Sequence, residues 1–194
     1  NTFWGWGRNS TGELGLYNTN DYWSPVQTLS SNWIYQTKLS SPVQVMAGTS
    51  FTTVNTKGWG TGAVASNNSF WMWGRNDYGQ LGTNNTISAS MPTMIGNSSW
   101  VAVTAATQST AAVVYALALR SDGGLFAWGS NTSGVLGLSD QVHRSSPVQI
   151  GAASYSQISA GEANNLALRT DGSIWSWGNN FTGRLGTNDQ VHRS

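Results

Sequence analysis

Cysteine is absent from this 194-residue chain and charge is scarce, and these two gaps exclude much of the chemistry a domain of this size could perform. Without Cys there are no disulfides, no thiolate nucleophile and no Cys-ligated metal, and the redox compartment leaves no mark on the sequence. Charged side chains make up 9% of the residues, 9 Lys and Arg against 8 Asp and Glu, with no run of either sign. The basic footprint of a nucleic-acid or anionic-membrane binder is therefore missing. No apolar run is long enough to span a bilayer and no secretory signal opens the chain. No G-x-S-x-G elbow, H-E-x-x-H helix or P-loop occurs. Both histidines, His143 and His192, lie in one duplicated string, Asp140 to Ser145 and Asp189 to Ser194. A catalytic centre needs one unsymmetrical constellation rather than the same side chain at matching places. The sequence therefore predicts no enzyme, no cofactor and no metal site.

What is abundant is tryptophan and glycine, with 11 and 23 residues, and both fall into a repeated phrase. The pattern W-G-x-N-x-x-G-x-L-G is written at Trp6 to Gly15, Trp73 to Gly82, Trp128 to Gly137 and Trp177 to Gly186. Another aromatic stands two residues before each copy (Trp4, Trp71, Phe126, Trp175), and in the first three copies a proline (Pro25, Pro92, Pro147) follows the Trp by 19 residues. The copies are 67, 55 and 49 residues apart. A constant inner spacing within a variable outer one describes one structural unit repeated with loops of different length. The units run over about 1–68, 69–123, 124–172 and a truncated 173–194.

Within a unit the signals are those of short strands. Leu166 to Arg169 and Ile174 to Trp177 flank a turn at Asp171-Gly172, and the arrangement recurs around Asp122-Gly123 and Asn67-Asn68. Such pairs favour left-handed backbone at both central positions of a tight hairpin. An alternating stretch precedes the hairpin (Tyr155 to Gly161) and a Pro-bearing strand follows it (Ser146 to Ile150). Four short antiparallel strands per unit of roughly fifty residues predict an all-β protein, a β-propeller of four-stranded blades, with a β-solenoid as the weaker alternative. The chain holds about three to four repeats, an incomplete ring. It opens on Asn1 without Met and stops within a repeated string, so the remaining blades are expected from more of the same polypeptide, another copy or a partner.

The paired aromatics share one face of a strand and read as mortar between blades, and the Asn of the phrase reads as a turn residue bonding its own main chain. The N-x-[ST] sequons at Asn9, Asn131 and Asn180 fall on that Asn and read as by-products of the turn. Asn67, Asn84 and Asn97 also match the pattern. Taken with the proline, Ala160-Gly161, Ala167-Leu168 and the Asp-Gly step before an aromatic strand, the phrase resembles the repeats of the regulator-of-chromosome-condensation family. The resemblance implies a seven-bladed propeller and a role as a GTPase exchange factor, a UV-B photoreceptor or a binding module. The family's usual His after the Ala-Gly step is replaced by Gly60, Tyr115 and Asn164. The photoreceptor motif is missing, and Gly58-Trp59-Gly60-Thr61-Gly62 only superficially echoes it.

One segment departs from the repeat. Ser24-Pro25-Val26-Gln27 is restated as Ser41-Pro42-Val43-Gln44, which places an insertion at about 26–41 in the first unit. Insertions in repeat arrays form surface loops. This one brings Trp33 and Tyr35 near Tyr17, Tyr22 and Trp23, the candidate partner-binding residues. The expected partner is a protein, a neighbouring structural subunit or a surface receptor, with no nucleic acid and no membrane. Low charge and abundant Asn, Ser and Thr suit a structural or adhesive module on a virion or cell surface. The competing expectation is a cytoplasmic or nuclear regulator, such as a small-GTPase nucleotide exchange factor.

Overall fold

Three tight turns set the register of the blades. In the computed structural model, which describes residues 3–10, 19–27, 38–57, 60–107 and 114–194, Arg120 N–H bonds the Gly124 carbonyl and Gly123 N–H bonds the Arg120 carbonyl, both at 2.9 Å. Three loop residues, Ser121, Asp122 and Gly123, lie between the closing pair, and Gly123 alone carries a positive φ, 86°. The same bonds close Ala65 to Ser69 and Arg169 to Ser173, with Asn68 and Gly172 in the left-handed place. The sequence signal for a hairpin is correct, but the turn is a three-residue one with a single left-handed residue. The other member of each pair stays at negative φ because its side chain folds over the turn. Asp122 accepts from Gly124 N–H, Asp171 from Ser173 N–H and Asn67 from Ser69 N–H.

The strands are β1 (Phe3–Gly5), β2 (Asp21–Gln27), β3 (Lys38–Val45), β4 (Phe51–Lys57), β5 (Gly60–Ala65), β6 (Phe70–Gly74) and β7 (Ala89–Met94). They continue with β8 (Trp100–Thr107), β9 (Val114–Arg120), β10 (Leu125–Gly129), β11 (Arg144–Gln149), β12 (Tyr155–Ala160), β13 (Asn164–Arg169) and β14 (Ile174–Gly178). They form four sheets: β4-β5-β6-β7 and β8-β9-β10-β11 are four-stranded antiparallel blades, β12-β13-β14 has three strands, and β1-β3-β2 has three. In the third blade a bridge between Gly178 and Arg193 marks the place where the fourth strand of the second blade begins, at Gly129 and Arg144. The chain is all-β, built as successive propeller blades that form an open arc among the described residues.

The blade that contains the insertion departs from the antiparallel pattern. Trp4 pairs with Gln44, just as Phe126 pairs with Gln149, so the second copy of the Ser-Pro-Val-Gln strand occupies the outer place. The first copy, β2, begins at its proper site through the Gly7–Tyr22 bridge and then lies parallel to β3 on its far side. Two copies of one strand read in the same direction can only pair in parallel when the intervening segment carries the chain back to its start.

Three hydrophobic clusters hold the arc together. Phe70, Trp100 and Trp128 anchor the one between the β4–β7 and β8–β11 blades, and Leu117, Leu136 and Trp177 the one between β8–β11 and β12–β14. Tyr22, Val45, Ala63 and Trp73 form the smaller cluster at the first blade. Full burial of one indole removes roughly 150–250 Å² from water, a gross gain of about 5 kcal/mol at the usual area coefficient. The second aromatic of each phrase therefore contributes most to blade-to-blade cohesion where it is fully covered, as at Trp73 and Trp128.

Candidate interaction surface

The Asn of the phrase organises the loop that follows each aromatic strand. Asn131 is fully buried. Its Oδ1 accepts from Leu136 N–H at 2.9 Å, and its Nδ2 donates to the Asp140 carbonyl at 2.9 Å and to Asp140 Oδ1 at 3.0 Å. Asn180 repeats this with Leu185 and Asp189, and Asn76 with Leu81, Asn85 and the Ile87 carbonyl. The amide bonds its own main chain, as expected, and reaches eleven residues further on in the case of Ile87. In the folded chain both amides at Asn131 and Asn180 are buried and engaged, and these asparagines serve as turn residues.

Both histidines belong to the same scaffold. His143 Nδ1 accepts from Asn131 N–H at 2.9 Å, and His192 Nδ1 accepts from Asn180 N–H at 2.8 Å. Twelve residues after the Asn, the equivalent place holds Asp21, whose Oδ1 accepts from Asn9 N–H at 2.8 Å, and Ser88, whose Oγ accepts from Asn76 N–H at 3.2 Å. Asp, Ser and His are interchangeable there because each offers one acceptor. Residue identity hides this role in the sequence, and only the fixed spacing could have revealed it. Tyr78 and Phe181 meet His143 and His192 edge-on, at centroid separations of 5.5 Å and 4.4 Å.

The carboxylates serve turns as well. Arg120 beside Asp122 holds its carboxyl down to about 2, helped by the Gly124 N–H, while Val142 and Val191 N–H groups lower Asp140 and Asp189 with help from Arg144 and Arg193. Arg144 and Asp140 pair at 2.5 Å, and Arg193 and Asp189 at 2.6 Å. Tyr115 donates to Asn165 Oδ1 at 2.8 Å across the blade boundary. Burial pushes its phenol above the ordinary range, against the opposing effect of that bond. Among the described residues no group of His, Asp and Glu is gathered for a metal ion.

Each loop exposes one aliphatic side chain among polar ones. Ile87, Val142 and Val191 each stand eleven residues after the phrase Asn and are 72%, 60% and 57% exposed. The N–H of each is held by the side-chain oxygen two residues before it, Asn85, Asp140 or Asp189. Three successive blades thus display one β-branched side chain apiece at the same point of a pinned loop. The sequence reading missed this row because the residues are ordinary and only their spacing from Asn marks them. Of the candidate residues around the insertion, Trp23 is 58% exposed, whereas Tyr22 is buried in the cluster with Trp73. Tyr17, Trp33 and Tyr35 lie outside the described residues.

Models of the regulator of chromosome condensation (RCC1) repeat match residues 2–54, 67–113 and 122–168, and a second RCC1 repeat model matches 155–184. The probable E3 ubiquitin-protein ligase HERC3 of Homo sapiens is 33% identical over 93 residues, 47% of this chain and 9% of that protein. Protein RCC2 of Homo sapiens is 39% identical over 89 residues, 45% of this chain and 16% of that protein. The chain thus spans less than a fifth of either relative. In the solved structure of Kap60 bound to yeast RCC1 (Prp20), the fold superposes with a TM-score of 0.73 at 15% identity, covering 98% of this chain and 42% of that one.

Proposed function

Because the chain belongs to the regulator of chromosome condensation (RCC1) repeat family, we propose that it is a non-catalytic protein-binding segment of an intracellular regulator. Its partner meets the loop face that carries Ile87, Val142 and Val191. The observation behind this reading is that aligned row. Exposed aliphatic side chains on loops fixed by buried Asn amides present a pre-organised apolar surface, and pre-organisation lowers the entropic cost of binding. Single exposed aliphatics are ordinary, but the same position exposed on three consecutive blades presents them at a regular repeat.

Three observations support the intracellular setting over the virion or cell-surface role expected from composition. The name of HERC3 speaks of ubiquitin ligation, the matched repeat is described as that of a regulator of chromosome condensation, and the yeast structure holds its RCC1 in complex with another protein, Kap60. The virion and adhesion reading draws no support from them. Exchange on a small GTPase is the activity the family resemblance suggests for such a partner.

Photo-crosslinking from position 142 in the producing cells tests the proposal. The expected result is a crosslink to a cytoplasmic or nuclear protein that is lost in an I87S/V142S/V191S variant. Crosslinks confined to particle or extracellular proteins would restore the surface reading, and crosslinks that persist in the triple variant would remove the row from the interface.

A further inference from the structure

Two segments of the β4–β7 blade meet at the rim that carries the hairpin turns: the turn Asn67-Asn68-Ser69 and the connection Gly96 to Ser99 that leads into β8. Their backbone is that of the next blade. Ile95 N–H bonds the Phe70 carbonyl at 2.8 Å and Trp100 N–H the Asn68 carbonyl at 2.9 Å, and Ile150 with Leu125 and Tyr155 with Gly123 repeat both bonds at the same lengths. Gly96 and Gly151 share a positive φ, 59° and 58°. What differs is the side chains. Asn67, Asn68, Ser69, Asn97 and Ser98 stand where the β8–β11 blade has Asp122, Gly123, Gly124, Ala152 and Ala153, so each exchange supplies an uncharged amide or hydroxyl. Asn68 departs furthest, because its φ is 65° and the same place holds Gly123 and Gly172 in the other two blades. Left-handed backbone suits glycine and is only tolerated by Asn. An amide is kept where the fold favours no side chain.

The two segments enclose a cleft of about 200 Å³, with Met94 as its apolar wall and no charged side chain in its lining. One amide in it is set by a relay. Trp71 Nε1 donates to Ser69 Oγ at 2.9 Å, and Asn67 Oδ1 accepts from Ser69 Oγ at 2.7 Å and from Ser69 N–H at 3.0 Å. Both lone pairs of that oxygen are used, which leaves Asn67 Nδ2 as an oriented donor. Among the described residues the side chains of Asn68, Asn97, Ser98 and Ser99 make no hydrogen bond of their own. The blades on either side, β1–β3 and β8–β11, both belong to this chain, so the cleft is not a product of an uncovered end.

We propose that this cleft binds one neutral sugar unit, free or at the end of a glycan. A sugar hydroxyl both donates and accepts, as the uncommitted amides and hydroxyls here do, and neighbouring hydroxyls match the donor and acceptor of one planar amide. The lack of charge disfavours a phosphate or carboxylate ligand, which draws its strength from ionised donors. A cleft this short holds a ring, whereas an extended peptide advances about 3.3 Å per residue and needs further pockets for alternate side chains. A donor already oriented by Ser69 and Trp71 lowers the ordering cost of binding. The site lies at the other end of β6 from the loop that carries Ile87, so it stands or falls separately from the protein-binding row.

Heteronuclear NMR titration of the 194-residue chain with the methyl glycosides of glucose, galactose, mannose and N-acetylglucosamine tests this. At least one glycoside should shift the side-chain amide signals of Asn67, Asn68 and Asn97 saturably and leave those of Asn131 and Asn180 in place. N97A/S98A and N68G each install what the β8–β11 blade already carries, so both should fold. Each should bind at least about tenfold more weakly, the worth of one or two hydrogen bonds. Tighter binding of a disaccharide than of its terminal glycoside would identify a glycan end, and equal binding a free sugar; either supports the site. No saturable shift with any of the four glycosides, an equal response to glycerol, or binding unchanged in both variants would overturn the proposal. So would tri-alanine saturating the same signals more tightly than any glycoside.

Discussion

One side-chain amide does more for each loop than any ionic pair. Asn131 satisfies the Leu136 N–H and the Asp140 carbonyl from a fully buried position, whereas the arginine–aspartate pairs are partly exposed and worth little in water. Replacing Asn131 with Ala leaves those backbone groups without partners, at about 1–3 kcal/mol for each that stays dry. N131A should therefore lose roughly 3 kcal/mol in urea unfolding, while S133A, which abolishes the sequon and leaves the amide in place, should lose less than about 0.5 kcal/mol. Equal losses in the two variants would mean that the Asn has no special place. His143 belongs to the same account: H143S keeps an acceptor of the kind found at Ser88 and should be milder than H143A. At this scale the sequence revealed that the Asn turns the chain but not how far its bonds reach, because the groups it bonds nine and eleven residues on include main-chain carbonyls, which every residue type carries.

Tryptophans on the aromatic strands join one sheet to the next, and here pattern and structure agree unevenly. The alternation of the phrase placed Trp128 and Trp177 on an inter-blade face, and both are buried and bonded to the preceding loop. The first aromatics of the pairs point the same way along the strand yet stay half-buried or exposed, as Phe126 and Trp175 do. Strand positions were legible, since Asp-Gly and Pro punctuate them. Turn type was not, because one left-handed residue and two leave the same dipeptide. The parallel β2–β3 pair was not legible either, since a duplicated strand motif does not say which copy takes the outer place. Within this frame W128F should cost about 1 kcal/mol for the lost bond to the Gln80 carbonyl, and W128A about 3–5 kcal/mol for the cavity between blades. Calorimetric unfolding of the two variants checks the ordering. A W128A protein as stable as W128F would show that the indole is not the joint between these sheets.

Blades that touch only their neighbours make stability a sum of local terms, so the arc is not uniformly firm. Scarce charge, which suggested an exposed particle, has a simpler origin in this geometry: a blade covered on both faces has few surfaces left for charged side chains. Composition therefore carries no address. The β8–β11 blade is covered on both sides, with Leu117 and Leu125 fully buried, whereas their equivalents Leu166 and Ile174 on β13 and β14 meet solvent. Less apolar surface is removed from water around β13 and β14, and local opening there should cost less than around β9 and β10. Amide hydrogen exchange on dilute protein should be at least about tenfold slower in β9 and β10 than in β13 and β14, although the four strands have similar ladders. Uniform exchange at low concentration would mean instead that the blades unfold as one cooperative unit, and the nearest-neighbour description would fail.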